Sequence, residues 1–245
     1  MMKKRLDLVL LERNLAKTQI KAQAYIMAGQ VFVSGKIIDK PGTLIRKEAE
    51  VVIREKFPYV SRGALKIEKA YCEFELDFND KTVCDIGSST GGFTDFVLQH
   101  GASKVFAIDV GRGQLDQKLR EDDRVVVMEK TDFRDIDKLP GDIDYFLGDL
   151  SFISLRKILP QIKRLIVMSQ QSEVNIVVLI KPQFEASRKE VTQGKGVIKS
   201  EQTRLEITEE IKTFAQNIGF TPLGLVESPI TGAKGNKEYL LWLKL

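Results

Sequence analysis

Two carboxylates and three glycines mark the stretch of this 245-residue chain that is built to hold a ligand. Asp85 falls within the apolar run Val83-Cys84-Asp85-Ile86, and the chain then passes through Gly87, Ser88, Ser89, Thr90, Gly91 and Gly92 to Phe93. Glycine lets a backbone turn tightly and come close to a ligand. A helix expected over 92–100 would present free N–H groups and a positive dipole end to the same place. The spacing Asp85-x-Gly87-x-x-x-Gly91-Gly92 departs from the G-x-G-x-x-G of pyrophosphate-binding sites, and no Gly-Lys-Ser/Thr follows it. A carboxylate beside the turn disfavours a phosphate and suits a cationic or zwitterionic ligand. The next apolar run, Lys104 to Asp109 with Val110 after it, ends in a second carboxylate where α/β nucleoside sites hold ribose hydroxyls. An aspartate can accept two hydroxyl donors at once.

Together the two motifs resemble the S-adenosylmethionine site of class I methyltransferases. That resemblance implies that Asp132, after the third strand, meets the adenine amino group and that Phe133 is available to flank the ring. A solvated loop carboxylate is the alternative for Asp132.

A sheet must carry these residues. Apolar runs predict strands over 124–128, 143–152 with Asp149 at its carboxyl end, and 174–180, which is followed by Lys181. Continuous apolar strands fit a parallel sheet covered on both faces. Ser154 is expected to cap a helix reaching about 168, residues 183–199 to form a polar loop near the substrate, residues 200–217 a helix, and 221–227 and 238–243 two closing strands. The alternation of strands and helices predicts a doubly wound α/β sheet. Ligands in such sheets gather at the carboxyl ends of the strands, where Asp149 and Lys181 fall; Lys66 precedes the first strand and Glu238 opens the last.

Lysine, aspartate, lysine and glutamate in this order resemble the tetrad of FtsJ-type ribose 2′-O-methyltransferases. The whole chain is similar to the TlyA family, known by two names, as haemolysins and as rRNA 2′-O-methyltransferases. The matching motifs hold Lys66 in Tyr59-Val60-Ser61-Arg62-Gly63-Ala64-Leu65-Lys66, Asp149 in Asp-Leu-Ser-Phe, Lys181 in Lys-Pro-Gln-Phe-Glu and Glu238 in Gly235-Asn236-Lys237-Glu238-Tyr239. Ala64 stands where glycine is expected. The resemblance implies a seven-stranded Rossmann-like domain, S-adenosyl-L-methionine as methyl donor, and ribosomal RNA or ribosomal subunits as partner, with no DNA and no membrane. A ribose hydroxyl must lose its proton as it attacks, so a positioned base is needed. Lys181 is the expected base, its pKa pushed down by Lys66 and by exclusion of water; Lys66 and Glu238 would position the hydroxyl and the base, and Asp149 would steer lysine and methyl donor. A purely structural salt-bridge network is the alternative.

The front of the chain is its basic part: residues 1–60 hold twelve Lys/Arg against six Asp/Glu, whereas the remainder holds 26 against 28. A basic surface points to a polyanion. Helices are expected over 2–14 and from Thr18 to Gly29, the second turning Ile20, Ala24, Tyr25 and Met27 inward. A hairpin follows through Ser34-Gly35, then a strand at 51–53. Arg5-Leu6-Asp7, the two helices and Gly-Gln-Val-Phe-Val-Ser-Gly resemble the S4 RNA-binding domain, a small α+β unit, over 4–54. Lys4, Arg5, Lys17 and Lys21, with Arg62 and Lys195 beyond the unit, are its expected RNA contacts. Thr18-Gln19 stands where that domain has Ser-Arg, so Lys17 or Lys21 would replace one phosphate contact; a protein-interaction module is the alternative. The expected organisation is an S4-like domain over 1–55, a short linker over 56–60 and a methyltransferase domain over 61–245.

With one histidine and two cysteines, His-based hydrolytic triads and zinc chemistry are disfavoured. His100 is expected to end a helix, and Cys72 and Cys84 to be reduced core thiols. No uninterrupted apolar run is longer than that of 176–180, far below the ~20 residues that span a bilayer, and no apolar export segment opens the chain. The expected location is therefore cytoplasmic, which weighs against a membrane-active haemolysin. An RNA-binding regulator without turnover is a third reading.

Overall fold

The computed structural model describes residues 3–27, 29–53 and 57–245. Lys56, the expected start of the linker, and Glu55, the expected end of the S4-like domain, lie outside the described residues. Two compact units comprise Met1–Pro58 and Tyr59–Leu245.

The first unit runs β1 (Lys3–Arg5), α1 (Leu6–Glu12), α2 (Gln19–Met27), β2 (Val31–Val33), β3 (Lys36–Ile37), β4 (Leu44–Arg46) and β5 (Val51–Ile53). Leu6, Leu10, Ala22, Ile26, Val31 and Ile45 are among its core residues. The hairpin between β2 and β3 turns at Ser34 and Gly35, whose φ of 48° and 79° match the right-handed twist of paired strands. Two expectations are corrected. Residues 3–5 are a strand paired antiparallel with β4 rather than the start of a helix. On α2, Ala22 and Ile26 are buried, while Ile20 and Met27 are exposed. The cause is Asp7, fully buried on α1, which accepts hydrogen bonds from Gln19 Nε2 and Gln23 Nε2, each at 3.2 Å, and so fixes the rotation of α2.

The second unit contains α3 (Ala64–Glu73), β6 (Thr82–Ile86), α4 (Gly92–Gln99), β7 (Lys104–Asp109), α5 (Gln117–Arg120), β8 (Val125–Glu129), β9 (Tyr145–Gly148), α6 (Leu159–Ser169), β10 (Asn175–Ile180), α7 (Pro182–Glu185), α8 (Arg188–Gln193), α9 (Glu201–Asn217), β11 (Thr221–Glu227) and β12 (Tyr239–Lys244). These form the expected seven-stranded sheet in the order β11-β12-β10-β9-β6-β7-β8. The strands from β6 to β10 are parallel to one another, and β12 runs antiparallel between β10 and β11. One face packs residues of α6 and α9, the other residues of α3 and α4.

The register decides what meets at the carboxyl end of the sheet. Ile86 pairs with Gly148, so the turn after β6 lies beside Asp149. Ile180 pairs with Tyr239, which sets Lys181 next to Glu238 although 57 positions separate them in the chain.

Three further expectations are revised. Ser154 caps a short 3-10 turn ahead of α6 rather than α6 itself. The segment 183–199 is not all loop: the capping box of Ser187 and Glu190 satisfies the first N–H groups of α8. Cys84 is buried as expected, but Cys72 is exposed. His100 does end α4, its Nδ1 2.8 Å from the Phe96 carbonyl of the last turn.

Candidate active site

A cavity of about 400 Å³ opens at the carboxyl end of the sheet. Its floor is the turn from β6 to α4. Gly87 has a φ of +82°, and a Cβ there would lie 3.1 Å from the Asp149 carbonyl oxygen. The bare backbone thus allows two strand ends to close on each other. Ser88, Ser89, Thr90, Gly92 and Phe93 complete this wall.

Asp85 lies beneath it, 1% exposed. Its Oδ2 accepts from Thr94 Oγ1 at 2.6 Å and Thr94 N at 3.1 Å, while Oδ1 has no hydrogen-bond partner. Burial, only partly offset by the Thr94 hydrogen bonds, pushes its pKa up to about 7. An acid in this state gains from a cationic partner.

Four charged side chains converge on the opposite wall. Lys66 projects from the first turn of α3, and its Nζ donates to Asp149 Oδ2 and Glu238 Oε2, both at 2.9 Å. Lys181 Nζ lies 2.6 Å from Asp149 Oδ1, an ion pair whose angles are not those of a hydrogen bond, and donates to Ser151 Oγ at 2.9 Å. Lys66, Lys181 and Glu238 are buried. Asp149 therefore bridges two ammonium groups. Burial favours its protonation, but Lys181 and Lys66 outweigh that and hold its pKa below the ordinary carboxylate value. Burial likewise works against the Lys66 charge, yet Asp149 and Glu238 raise its pKa above that of free lysine. Lys66 is a fixed cation.

The neighbouring segments hold this set in place. Glu185 accepts from Ser154 Oγ at 2.5 Å and Leu155 N at 2.7 Å, fastening the turn after β10 to the segment after β9. Gly232 leaves space for the Glu238 carboxylate, since a Cβ there would sit 2.0 Å from Glu238 Oε1.

The remaining expected site residues lie elsewhere. Gly91 is the N-cap of α4. Asp109 accepts from Ser89 N at 2.8 Å and Gly111 N at 2.7 Å, tying the end of β7 to the glycine turn. Val110 is exposed beside it. Asp132 caps a 3-10 turn and pairs with Arg134 at 2.5 Å, whereas Phe133 packs edge-on against Phe146 in the core. Neither reaches this cavity. Arg62 and Lys195 are exposed on the second unit. On the first, Lys4 pairs with Glu12 and Arg5 with Asp7, while Lys17 and Lys21 are exposed.

Sequence reasoning missed Ser61, Gly63, Ser151, Phe152, Gln183, Phe184 and Gly232 as lining residues. Position next to Asp149 or Lys181 was the available signal for four of them. Gly232 had none, because the need for it arises from a side chain six residues later.

The family model of FtsJ-like methyltransferases matches residues 59–245, and that of the S4 domain residues 4–51. The chain is 45% identical to YqxC of Bacillus subtilis, a candidate rRNA methyltransferase, over 98% of this chain and 85% of that one. It is 38% identical to the 16S/23S rRNA (cytidine-2′-O)-methyltransferase TlyA of Mycobacterium tuberculosis, over 98% and 89%. The solved structure of a candidate hemolysin from Streptococcus thermophilus superposes with a TM-score of 0.74 at 41% identity, covering 100% of this chain and 89% of that one.

Proposed function

The chain belongs to the FtsJ-like methyltransferase family and carries an S4 domain ahead of the methyltransferase domain, and from that premise we propose that it methylates the 2′-hydroxyl of a cytidine ribose in ribosomal RNA, with S-adenosylmethionine as donor. The observation that carries the reading is the pair of buried lysines bridged by Asp149 in the wall of the cavity. The cytidine follows the name of the Mycobacterium tuberculosis relative. The residues present fit the donor: Asp85 offers a buried oxygen without partner to an ammonium group, and the turn from Gly87 to Thr90 lines the cavity beside it.

S-adenosylmethionine, when bound, supplies a methyl group on a positively charged sulfur. Asp149 and Glu238 offset the charges of Lys66 and Lys181, so this end of the cavity does not repel such a group. Lys181 Nζ takes the proton from the ribose hydroxyl and must be neutral when it does so. Lys66, kept charged by two acids, donates toward the developing alkoxide and holds Asp149 in place. Glu238 fixes Lys66. The first unit, with Lys4, Arg5, Lys17 and Lys21, docks the RNA through its backbone.

Tritiated methyl incorporation into ribosomal RNA tests this directly: label should enter at ribose 2′-oxygens with the wild-type chain, and its absence overturns the reading. The hemolysin reading has less behind it. Among the described residues no helix is long and apolar enough to cross a membrane, and dye release from liposomes is expected to stay at background.

A further inference from the structure

Gln183 carries an unused acceptor inside the cavity. It sits in α7 directly after Lys181 and Pro182, is 9% exposed, and lines the cavity with the four charged residues. Its Nε2 donates to Glu238 Oε1 at 3.4 Å, and its Oε1 is buried without a hydrogen-bond partner. The amide orientation is determined by chemistry. An ionised carboxylate only accepts, so the nitrogen must face Glu238; turning the amide over would set two acceptors against each other. A buried carbonyl without a donor is the kind of group a ligand completes.

Among the described residues no donor reaches Gln183 Oε1, and in the proposed reading the ammonium group of S-adenosylmethionine goes to Asp85. Lys66 Nζ is held by Asp149 and Glu238, and Lys181 Nζ by Asp149 and Ser151. The reacting ribose hydroxyl has a single hydrogen, which the proposed reaction delivers to Lys181. Inside an RNA chain the 3′-oxygen is a phosphodiester and carries none. The donors left on a cytidine are those of its exocyclic amine.

We infer that Gln183 is a specificity-determining residue, its Oε1 accepting a hydrogen bond from the 4-amino group of the target cytosine. This rests on the proposed ribose methylation and extends it from the sugar to the base. Because Glu238 pins the amide, the residue presents only an acceptor. A base with a carbonyl at that position meets it oxygen to oxygen, and a base with hydrogen there leaves it without a partner.

The test uses the full chain and an rRNA fragment spanning the nucleotide that the wild-type protein methylates. The fragment is prepared with cytidine or with pyrimidin-2-one riboside, which is cytidine without its 4-amino group, at that position. Wild type is expected to favour cytidine roughly tenfold in kcat/KM, the range of one hydrogen bond. Gln183→Met, similar in length but without the amide, should lose roughly that factor on cytidine and little on the analogue, bringing the ratio near one. Gln183→Leu should do the same, and unchanged affinity for S-adenosylmethionine shows that either variant is folded. Three results overturn the inference: no preference in wild type, a preference that survives in both variants, or an equal loss on both RNAs, which would mean that Gln183 serves only to position Glu238. No methyl transfer by wild type to either RNA overturns the proposed function, and this inference with it.

Discussion

Each unit of the molecule buries an aspartate almost completely, and the two are treated in opposite ways. In the first unit Asp7 is 0% exposed and accepts from Arg5 Nε and Nη2, Leu8 N, Gln19 and Gln23. Arg5 above all, with the two glutamines, holds its carboxyl well below the usual range. In the second unit Asp85 is 1% exposed, receives only Thr94 and keeps one oxygen unpartnered, and burial moves its pKa in the other direction, to about 7. Asp7 is shielded by its own partners and works as a structural clasp. Asp85 is left incomplete against a cavity. The buried acid with a vacant oxygen, not the saturated one, points to a ligand.

The strongest perturbation of the second pattern is Asp149→Asn, which removes the charge shared by Lys66 and Lys181. Methyl transfer should fall about 1000-fold, the scale of proton-transfer and electrostatic assistance, while cofactor affinity measured by calorimetry drops far less. Gly232→Ala forces the Glu238 carboxylate out of its seat. A loss of about 100-fold in kcat, with little change in thermal stability, is the expected sign that Glu238 works through position.

Asp7→Asn should leave chemistry at the second unit untouched and destabilise the first by about 2–3 kcal/mol, seen in denaturant unfolding followed in the first unit. The sign follows from its depressed pKa: the stabilisation is present above the unfolded-state value near 3.8 and is lost as pH falls through the folded-state value. Asp85 behaves inversely. Its raised pKa means that the ligand-free protein loses stability as pH rises from about 4 to about 7, because the unfolded chain releases that proton first. The ionised form is the one that pairs with an ammonium group, so affinity for S-adenosylmethionine should weaken about tenfold from pH 8 to pH 6. Asp85→Asn should flatten that slope.

The contrast also explains what could be read from the sequence. The sheet was legible because buried parallel strands are continuous apolar runs, and Asp109, Asp149 and Lys181 stand at or just after their carboxyl ends. The first unit was read less well. Its edge strands Lys3–Arg5 and Leu44–Arg46 are three residues long and charged, with no apolar run to mark them. The rotation of α2 comes from two glutamines bonding a buried acid on another helix, a tertiary contact that helical periodicity does not encode. The same holds for Gln183 and Gly232, whose roles depend on where Glu238 comes to lie. The short helix α8 was announced by Ser187 and Glu190 at capping-box spacing, a local signal masked by the polar composition around it.

The most direct measurement of the central claim is methyl transfer to ribosomal RNA by Lys181→Ala, run beside calorimetric titration of the same variant with S-adenosylmethionine. Transfer at least about 1000-fold below wild type with cofactor affinity within roughly threefold is the predicted result. Wild-type transfer by this variant would contradict the account, because the proton of the ribose hydroxyl would then leave by a route that does not pass through Lys181.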